Sequence, residues 1–500
     1  MGNQTNFNRR SFLGATASSF TILPRRLLGG PGYVSPSEKV NIAYIGCGTQ
    51  GFRQLIQALP KSDVQITSVC DPNEESSDYI EWGRHELRNK IRNFLDEPRW
   101  DEGVEGCRCG RSVGKEIVEA YYAKKSGSSS YAGCSAYSDF RELLEAEADV
   151  DALYIMTPDH LHATIALAAM KKGKHAVTHK ALANVYHELK LAVDASIQTR
   201  LATHMFCSSS MKSTPQLCEW IWSGAIGDVH EVHNWSSRPY WPQGMTQRPT
   251  EKVDIPKGMD WQLWLGPVPD RPYHPSYTHA VFRGWYDFGA GALGDMGHYS
   301  LFQIFKILKL SFPSSVEASR SQYWEIVDHL WKKQENLISY PRASTIHWEF
   351  PAREGMPPVS LYWYDGGLRP PIPEELEKDG KPMPDEGLLF VGDRGKILAD
   401  FSGGDPRIIP EEKMKAFQPP PETLSRPIDG LDQWLRACKG GPASSASFEN
   451  VFPFSEAIAL GNIALRVPQK LQWDSEKKTF TNNADAAKFL HRTYRPGWEL

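Results

Sequence analysis

The chain of 500 residues contains no apolar run approaching the roughly 20 residues that a membrane-spanning helix needs, so no integral membrane segment is expected. It has no basic excess. Its 56 Lys and Arg face 60 Asp and Glu, net −4, which leaves no positive field to hold nucleic acid. Eight cysteines are too few for a disulfide scaffold in a chain long enough to build a real core. Cys107, Cys109 and Cys134 lie in a Gly/Ser-rich stretch and are placed to form one bridge in an oxidising compartment. Their C-x-C start lacks the spacing of a zinc site, and no metal is expected. No internal repeat is found. What is present is ordinary globular material, 40% apolar and 23% charged, at a length that implies two domains plus extras.

The N-terminus is distinctive. "NRRSFLG" (8–14) followed by the modest apolar stretch "ATASSFTIL" (15–23) resembles a bacterial twin-arginine export signal. Residues 1–30 hold four arginines and no acid, so the remainder carries 52 basic against 60 acidic residues, or −8. Residues 1–36 are therefore read as signal and arm, which predicts a periplasmic or otherwise exported protein, cytoplasmic only if the signal is not functional. No clear A-x-A cleavage site follows.

From residue 37 the pattern is strand, glycine turn, helix, strand. "VNIAYI" runs into "GCGTQG" (46–51), then the helical "FRQLIQALP", then "VQITSVCD" (64–71), "VDALYIMTP" (150–158), "HATIALAAMKKG" (162–173) and "KHAVTHK" (174–180). Strands alternating with helices predict an α/β fold with a parallel, doubly wound sheet over 37–183. The polar stretch between Asp71 and "YSDFRELL" (137–144) exceeds a normal crossover and is read as one long helix plus an insertion at about 96–134. After about residue 200, tryptophan and proline become frequent and alternating runs such as "STIHWEF" and "VSLYWY" appear. Residues 184–500 therefore read as an α+β domain with an open, mostly antiparallel sheet, and "GLLFVGDRGKILADF" as two strands joined at a turn. The tail "FPFSEAIALGNIALRV" reads as an amphipathic helix, and helices within about 427–470 are expected to pack back on the first domain.

Gly46, Gly48 and Gly51, with Thr49 and Gln50 between, form G-x-G-x-x-G in its proper context: a strand before it, a helix after it, and Asp71 ending the next strand. The first glycine makes the tight turn, the second lets backbone approach a pyrophosphate, and the third permits close helix–sheet packing. The pyrophosphate would rest on the helix N-terminus. Asp71 would accept from the ribose hydroxyls and repel a 2′-phosphate. "DPN" places no arginine beside it, so NAD is expected over NADP. "TPDHLHA" (157–163) ends the next strand, which makes Thr157, Pro158 and His160 candidates for the nicotinamide side, with Asp159 read as a helix cap. Lys180, ending the strand after that, is placed to favour an alkoxide as hydride departs.

Together with "GKHAVTHKALA", "GAIGDVHEV" (224–232) and "RGWYDFGAGALGDMGH" (283–298), these motifs resemble the Gfo/Idh/MocA oxidoreductases, relatives of glucose–fructose oxidoreductase and inositol dehydrogenase. The resemblance covers most of residues 38–310 and departs from the family pattern at three points. His179-Lys180-Ala181 stands where Glu-Lys-Pro is usual, which loosens the cis-peptide geometry common there. Tyr299, not histidine, stands four residues after Asp295. The third departure is the long insertion. The resemblance implies an NAD-dependent oxidoreductase acting on a CH–OH group of a sugar or polyol, in which Lys180, Asp295 and His298 are catalytic. His298 and Tyr299 both share a helical face with Asp295, and imidazole is the better proton acceptor near neutrality. Arg238, Tyr240, Trp285 and Tyr299 are candidate substrate contacts. Seven of the sixteen tryptophans lie within 220–285, where core filling explains most of them and sugar stacking is a role for Trp235, Trp241 or Trp285. The family also implies a small carbohydrate substrate and a homo-oligomer, a dimer or tetramer. Export adds a constraint. The periplasm offers no free NAD, so the cofactor should be held tightly and restored within each cycle. That fits either a two-substrate oxidoreductase or, as the alternative, an NAD-dependent glycoside hydrolase working by transient oxidation and elimination. A noncatalytic sugar or NAD(H) sensor is a third class.

Overall fold

A computed structural model describes residues 38–207 and 211–500; the segment read above as an export signal lies outside them. Among the described residues no helix is long and apolar enough to cross a membrane.

The first domain is a six-stranded parallel sheet of β1 (Val40–Ile45), β2 (Val64–Cys70), β3 (Ser135–Tyr137), β4 (Ala152–Ile155), β5 (His175–Thr178) and β6 (Thr203–Met205), in the order β3-β2-β1-β4-β5-β6. The strands read as almost unbroken apolar runs because helices cover both faces. The order reverses between β1 and β4, and the crevice beyond their carboxyl ends is where open α/β sheets bind ligands. Helix α1 (Thr49–Ala58) leaves β1 through the glycine turn. The domain runs past residue 183, since β6 completes the sheet beside β5.

The long connection between β2 and β3 holds two helices, α2 (Glu86–Leu95) and α3 (Arg111–Ser126), where one long helix was expected. The reason is tertiary. Residues 76 and 78 bridge to 109 and 107, which folds the intervening chain back and splits the helical stretch. Cys107, Cys109 and Cys134 are free thiols buried in the packing of this segment, not a bridged pair.

The second domain is a nine-stranded sheet built around β7 (Val229–Trp235), which pairs parallel with β12 (Val359–Tyr364) and antiparallel with β13 (Gly387–Gly392). The other pairings are antiparallel, among them β11 (Ser344–Phe350) with β12, and β13 with β14 (Lys396–Ala399) across the expected turn. Strands β9 (Tyr323–Val327) and β10 (Leu330–Gln334) form a separate hairpin.

Three later helices join the domains. α4 (Gly291–Ile307) carries "GALGDMGHYS". α5 (Gly430–Cys438) returns to the first domain, where Trp434 is fully buried against Tyr154 and Lys61 pairs with Asp432 at 2.5 Å. α6 (Phe448–Ala464) is not amphipathic, because it is wedged between the domains and buried on most sides. Gly461 makes this possible: a Cβ there would lie 2.6 Å from the Trp348 ring, whose Nε1 donates to the Ala457 carbonyl at 2.9 Å.

Candidate active site

The glycine turn behaves as its spacing requires. Gly46 has φ +100°, and a Cβ there would lie 2.6 Å from the Met156 carbonyl carbon. At Gly51 a Cβ would meet the Gly46 carbonyl oxygen at 2.2 Å. Gly48 caps α1 with no side-chain bond, leaving the first-turn N–H groups of Thr49, Gln50 and Gly51 turned to the crevice. Asp71 is locked from behind. Its Oδ2 accepts from the Cys47 N–H at 2.7 Å and its Oδ1 from the Asn73 N–H at 2.8 Å, while burial raises its pKa. An arginine does stand near Asp71. Arg111 of α3 reaches the carbonyl oxygens of Asp71 and Pro72 at 3.2 and 3.4 Å, and it also faces Glu74. Thr157 and Pro158 line the same crevice, and the Thr157 hydroxyl is buried without a partner. A cradle of bare glycines, free helix N–H groups, a carboxylate at the ribose position and an unpaired hydroxyl fits a dinucleotide.

A strap lies over this cradle. Tyr79, from the chain after β2, sits against Gly48, where a Cβ would be 3.1 Å from the ring. It packs on His279 of the second domain with centroids 3.8 Å apart, and His279 Nε2 lies 3.3 Å from Asp78. The cavity left beneath is about 110 Å³, against the roughly 300 Å³ or more of ordinary small-molecule sites.

At the far end of the crevice are buried charges. Lys180, at the end of β5, and Arg283, from the loop before α4, both converge on Oδ1 of Asp295, Arg283 Nε at 3.0 Å. Burial works against the charged forms, yet the mutual attraction wins: Lys180 and Arg283 are raised, and Asp295 is held well below the ordinary carboxylate range. The Lys180–Ala181 peptide is cis although no proline follows. Lys180 also lies 5.2 Å from the centre of the Tyr299 ring, so Tyr299 reaches this cluster. Burial raises the Tyr299 hydroxyl despite that ammonium. His298 donates Nδ1–H to the Gly294 carbonyl at 2.6 Å, which leaves Nε2 as its acceptor, and burial lowers it to about 4.

Asp159 does not cap its helix, whose N-cap is Pro158 with no side-chain bond. It lines the crevice, accepts the Ala290 N–H at 3.0 Å, and burial raises it to about 6 against the pull of Arg283 and Lys180. Motif reading passes over Arg283 and gives Asp159 only a capping role. The signal for Arg283 was its place in "RGWYDFGAGALGD", twelve residues before the acid it serves.

Four expected contacts fall elsewhere. His160 faces inward from its helix. Its Nε2 meets the Trp264 carbonyl at 2.9 Å and the ring packs on Trp264 and Phe288, so it is a core residue. Trp285 is 2% exposed and spends its N–H on the Ser276 carbonyl. Arg238 and Tyr240 lie outside the crevice, Arg238 paired with Glu386 at 2.8 Å and stacked on Tyr240. Most of the 220–285 tryptophans fill the core, as expected of large aromatics; Trp241 lines an open groove.

Residues 110–204 match the model described as oxidoreductase family, NAD-binding Rossmann fold, and residues 219–337 the model described as oxidoreductase family, C-terminal alpha/beta domain. Levoglucosan dehydrogenase of Pseudarthrobacter phenanthrenivorans is 34% identical over 113 residues, 21% of this chain and 28% of that protein. Glycosyl hydrolase family 109 protein 1 of Shewanella sp. (strain MR-4) is 25% identical over 189 residues, 38% of this chain and 33% of that one. The chain thus spans about a third of the length of these curated relatives. The WlbA dehydrogenase of Bordetella pertussis, solved in complex with NADH and UDP-GlcNAcA, superposes with a TM-score of 0.51 over 87% of this chain and 99% of its own, at 15% identity, a likeness of fold.

Proposed function

The chain belongs to the Gfo/Idh/MocA oxidoreductase family, and from that premise we propose that it oxidises a CH–OH group of a sugar or polyol with tightly held NAD. The observation that carries the reading is the convergence of Lys180 and Arg283 on Asp295 at the end of a dinucleotide cradle. The glycine turn and Asp71 would hold NAD, which supplies a hydride acceptor for the carbinol carbon and, in a redox-neutral reaction, gives the hydride back.

The residues divide the rest of the work. Lys180 stays protonated because Asp295 faces it, so it acts as a hydrogen-bond donor to the substrate oxygen and stabilises the negative charge that develops there. Arg283 orients Asp295 and adds positive charge. The proton leaves to a nearby base, the Asp159 carboxylate or the neutral His298 imidazole. Of the groups at hand, Asp159 has a pKa nearest neutrality, about 6, and is favoured over His298 at about 4. Tyr299 flanks Lys180 on the substrate side.

A second reading has its own support in the likeness to a family 109 glycosyl hydrolase, in which the same oxidation would precede elimination of a glycosidic substituent. Purification without added nucleotide, followed by absorbance of reduced nicotinamide while sugars and aryl glycosides are offered, tests both. Phenol release without net redox change selects the hydrolase. Bleaching of bound NADH only on adding a second carbonyl compound selects the oxidoreductase. No response to any sugar defeats both and leaves a sensor.

Export through the twin-arginine route, with the cofactor aboard, belongs to this reading. It is supported by Arg9 and Arg10 in their motif, and replacing both with lysine should retain the protein in the cytoplasm. So does self-association. The β9–β10 hairpin exposes Trp324, Ile326, Leu330 and Trp331 at 55–72%, and an isolated two-stranded hairpin is marginal in water.

A further inference from the structure

We propose that the groove beside the charged cluster is a second sugar subsite, so that the substrate is a glycoside or oligosaccharide and not a lone monosaccharide. This rests on the carbohydrate reading above and deepens it. The groove, about 680 Å³, is lined by Tyr240, Trp241, Arg342, Gly366 and Gly367 among others. Trp241 links it to the reacting cluster: its ring centre lies 5.9 Å from the guanidinium carbon of Arg283, which holds Asp295.

The loop that presents these rings is anchored. Gln243, 5% exposed, donates to the Pro341 carbonyl from one end of its amide and accepts the Trp241 indole N–H at 3.0 Å on the other. The polar edge of Trp241 is thereby satisfied from behind. Gly284 lets the loop close on the chain before α4, since a Cβ there would lie 2.1 Å from the Pro242 carbonyl oxygen. Tyr240 is 64% exposed, yet its hydroxyl is held by Ser237 and Arg238 at 3.0 and 2.9 Å. Nothing in the core requires these aromatics, unlike Trp261, Trp264 and Trp285, which are buried.

The chemistry of the wall names the class of occupant. A pyranose ring has one apolar C–H face and a rim of hydroxyls. An indole face takes the first, and Arg342, exposed in the same lining, offers donors to the second. A flat aromatic ligand would need an enclosing slot, and this groove is open. Gly367 has no heavy atom within 4 Å of its would-be Cβ, so the far end admits further rings.

The test uses the full chain loaded with NAD and matched probes: glucose, galactose and N-acetylgalactosamine against cellobiose, maltose, lactose and their methyl glycosides. Calorimetric binding and nicotinamide absorbance are both read, for wild type, Trp241→Ala and Trp241→Phe, with a thermal melt of each. The expected result is that disaccharides bind more tightly than their monosaccharides. Trp241→Ala should cut the disaccharide-to-monosaccharide ratio roughly tenfold, while Trp241→Phe restores most of it. A ratio unmoved by Trp241→Ala, or equal binding of one and two rings, overturns the subsite even if a sugar is oxidised. Disaccharide binding that depends on Trp241 without any change in nicotinamide absorbance supports the subsite and defeats the oxidoreductase reading. Failure of every probe to bind overturns both.

Discussion

Tyr79 and His279 pack with ring centroids 3.8 Å apart and planes tilted by 36°, one from the first domain and one from the second, Tyr79 lying against Gly48 of the glycine turn. The contact lies at the rim of the crevice, where it can retard exchange of a bound dinucleotide. An aromatic pair contributes about 0.5–1.5 kcal/mol, so Tyr79→Ala should speed release of bound NADH up to roughly tenfold. Stopped-flow displacement of NADH fluorescence by excess NAD measures this, and an unchanged rate removes the strap from the account.

Asp295 neutralises two buried cations at once. Asp295→Ala strands both, and loss of one partner from a buried pair costs about 3–5 kcal/mol. Lys180→Met instead leaves Asp295 paired with Arg283. It should melt near wild type while kcat/KM falls by about 10²–10³. Thermal melts beside steady-state kinetics separate the two; equal destabilisation by both variants contradicts the shared-oxygen geometry.

The pH profile distinguishes the proton acceptors. With Asp159 in that role, kcat/KM falls as pH drops through about 6, and Asp159→Asn abolishes the inflection. With His298, the fall comes nearer about 4 and survives Asp159→Asn.

Acid stability follows from the buried histidines. Burial lowers His160 to about 3 and His162, His204 and His298 to about 4, below the roughly 6.5 of an unfolded chain. Depressed bases bind fewer protons folded than unfolded, so the stability they permit is complete above about 6.5 and is lost as pH falls from there toward 4. Asp159 and Asp365, raised to about 6 and about 7, act in the opposite sense over part of that window but are fewer. Denaturant midpoints should therefore fall between pH 7 and pH 4.5. His204→Gln, on β6 and hydrogen-bonded to Ser444, should flatten the slope.

Cofactor choice is a further check. Asp71→Ala removes the charge that repels a 2′-phosphate and leaves Arg111 nearby, so the preference for NAD over NADP should shrink in calorimetric titrations.

Much of the site was readable because it is local. The glycine turn, Asp71 and Lys180 all sit at strand ends, and strand ends are visible as the last residue of an apolar run. The α6 helix was misread as amphipathic because its sequence does not reveal that two domains enclose it. His160 was misplaced for a related reason: on a helix packed on both sides, the residue beside a crevice motif can face either way. The β2–β3 connection could not be split into two helices without knowing that residue 76 meets residue 109.

The sequence alone determined the parallel sheet, the phosphate cradle and the placing of a lysine at its edge, because each depends on spacing within a few turns of chain. Tertiary structure alone decided which charges share that edge. Lys180 and Asp295 are 115 residues apart, and Tyr79 and His279 further still. The docking of the second domain on the first, a matter of buried area and not of local pattern, is what brought Arg283 into the crevice, turned His160 away from it, and left Trp241 facing an open groove.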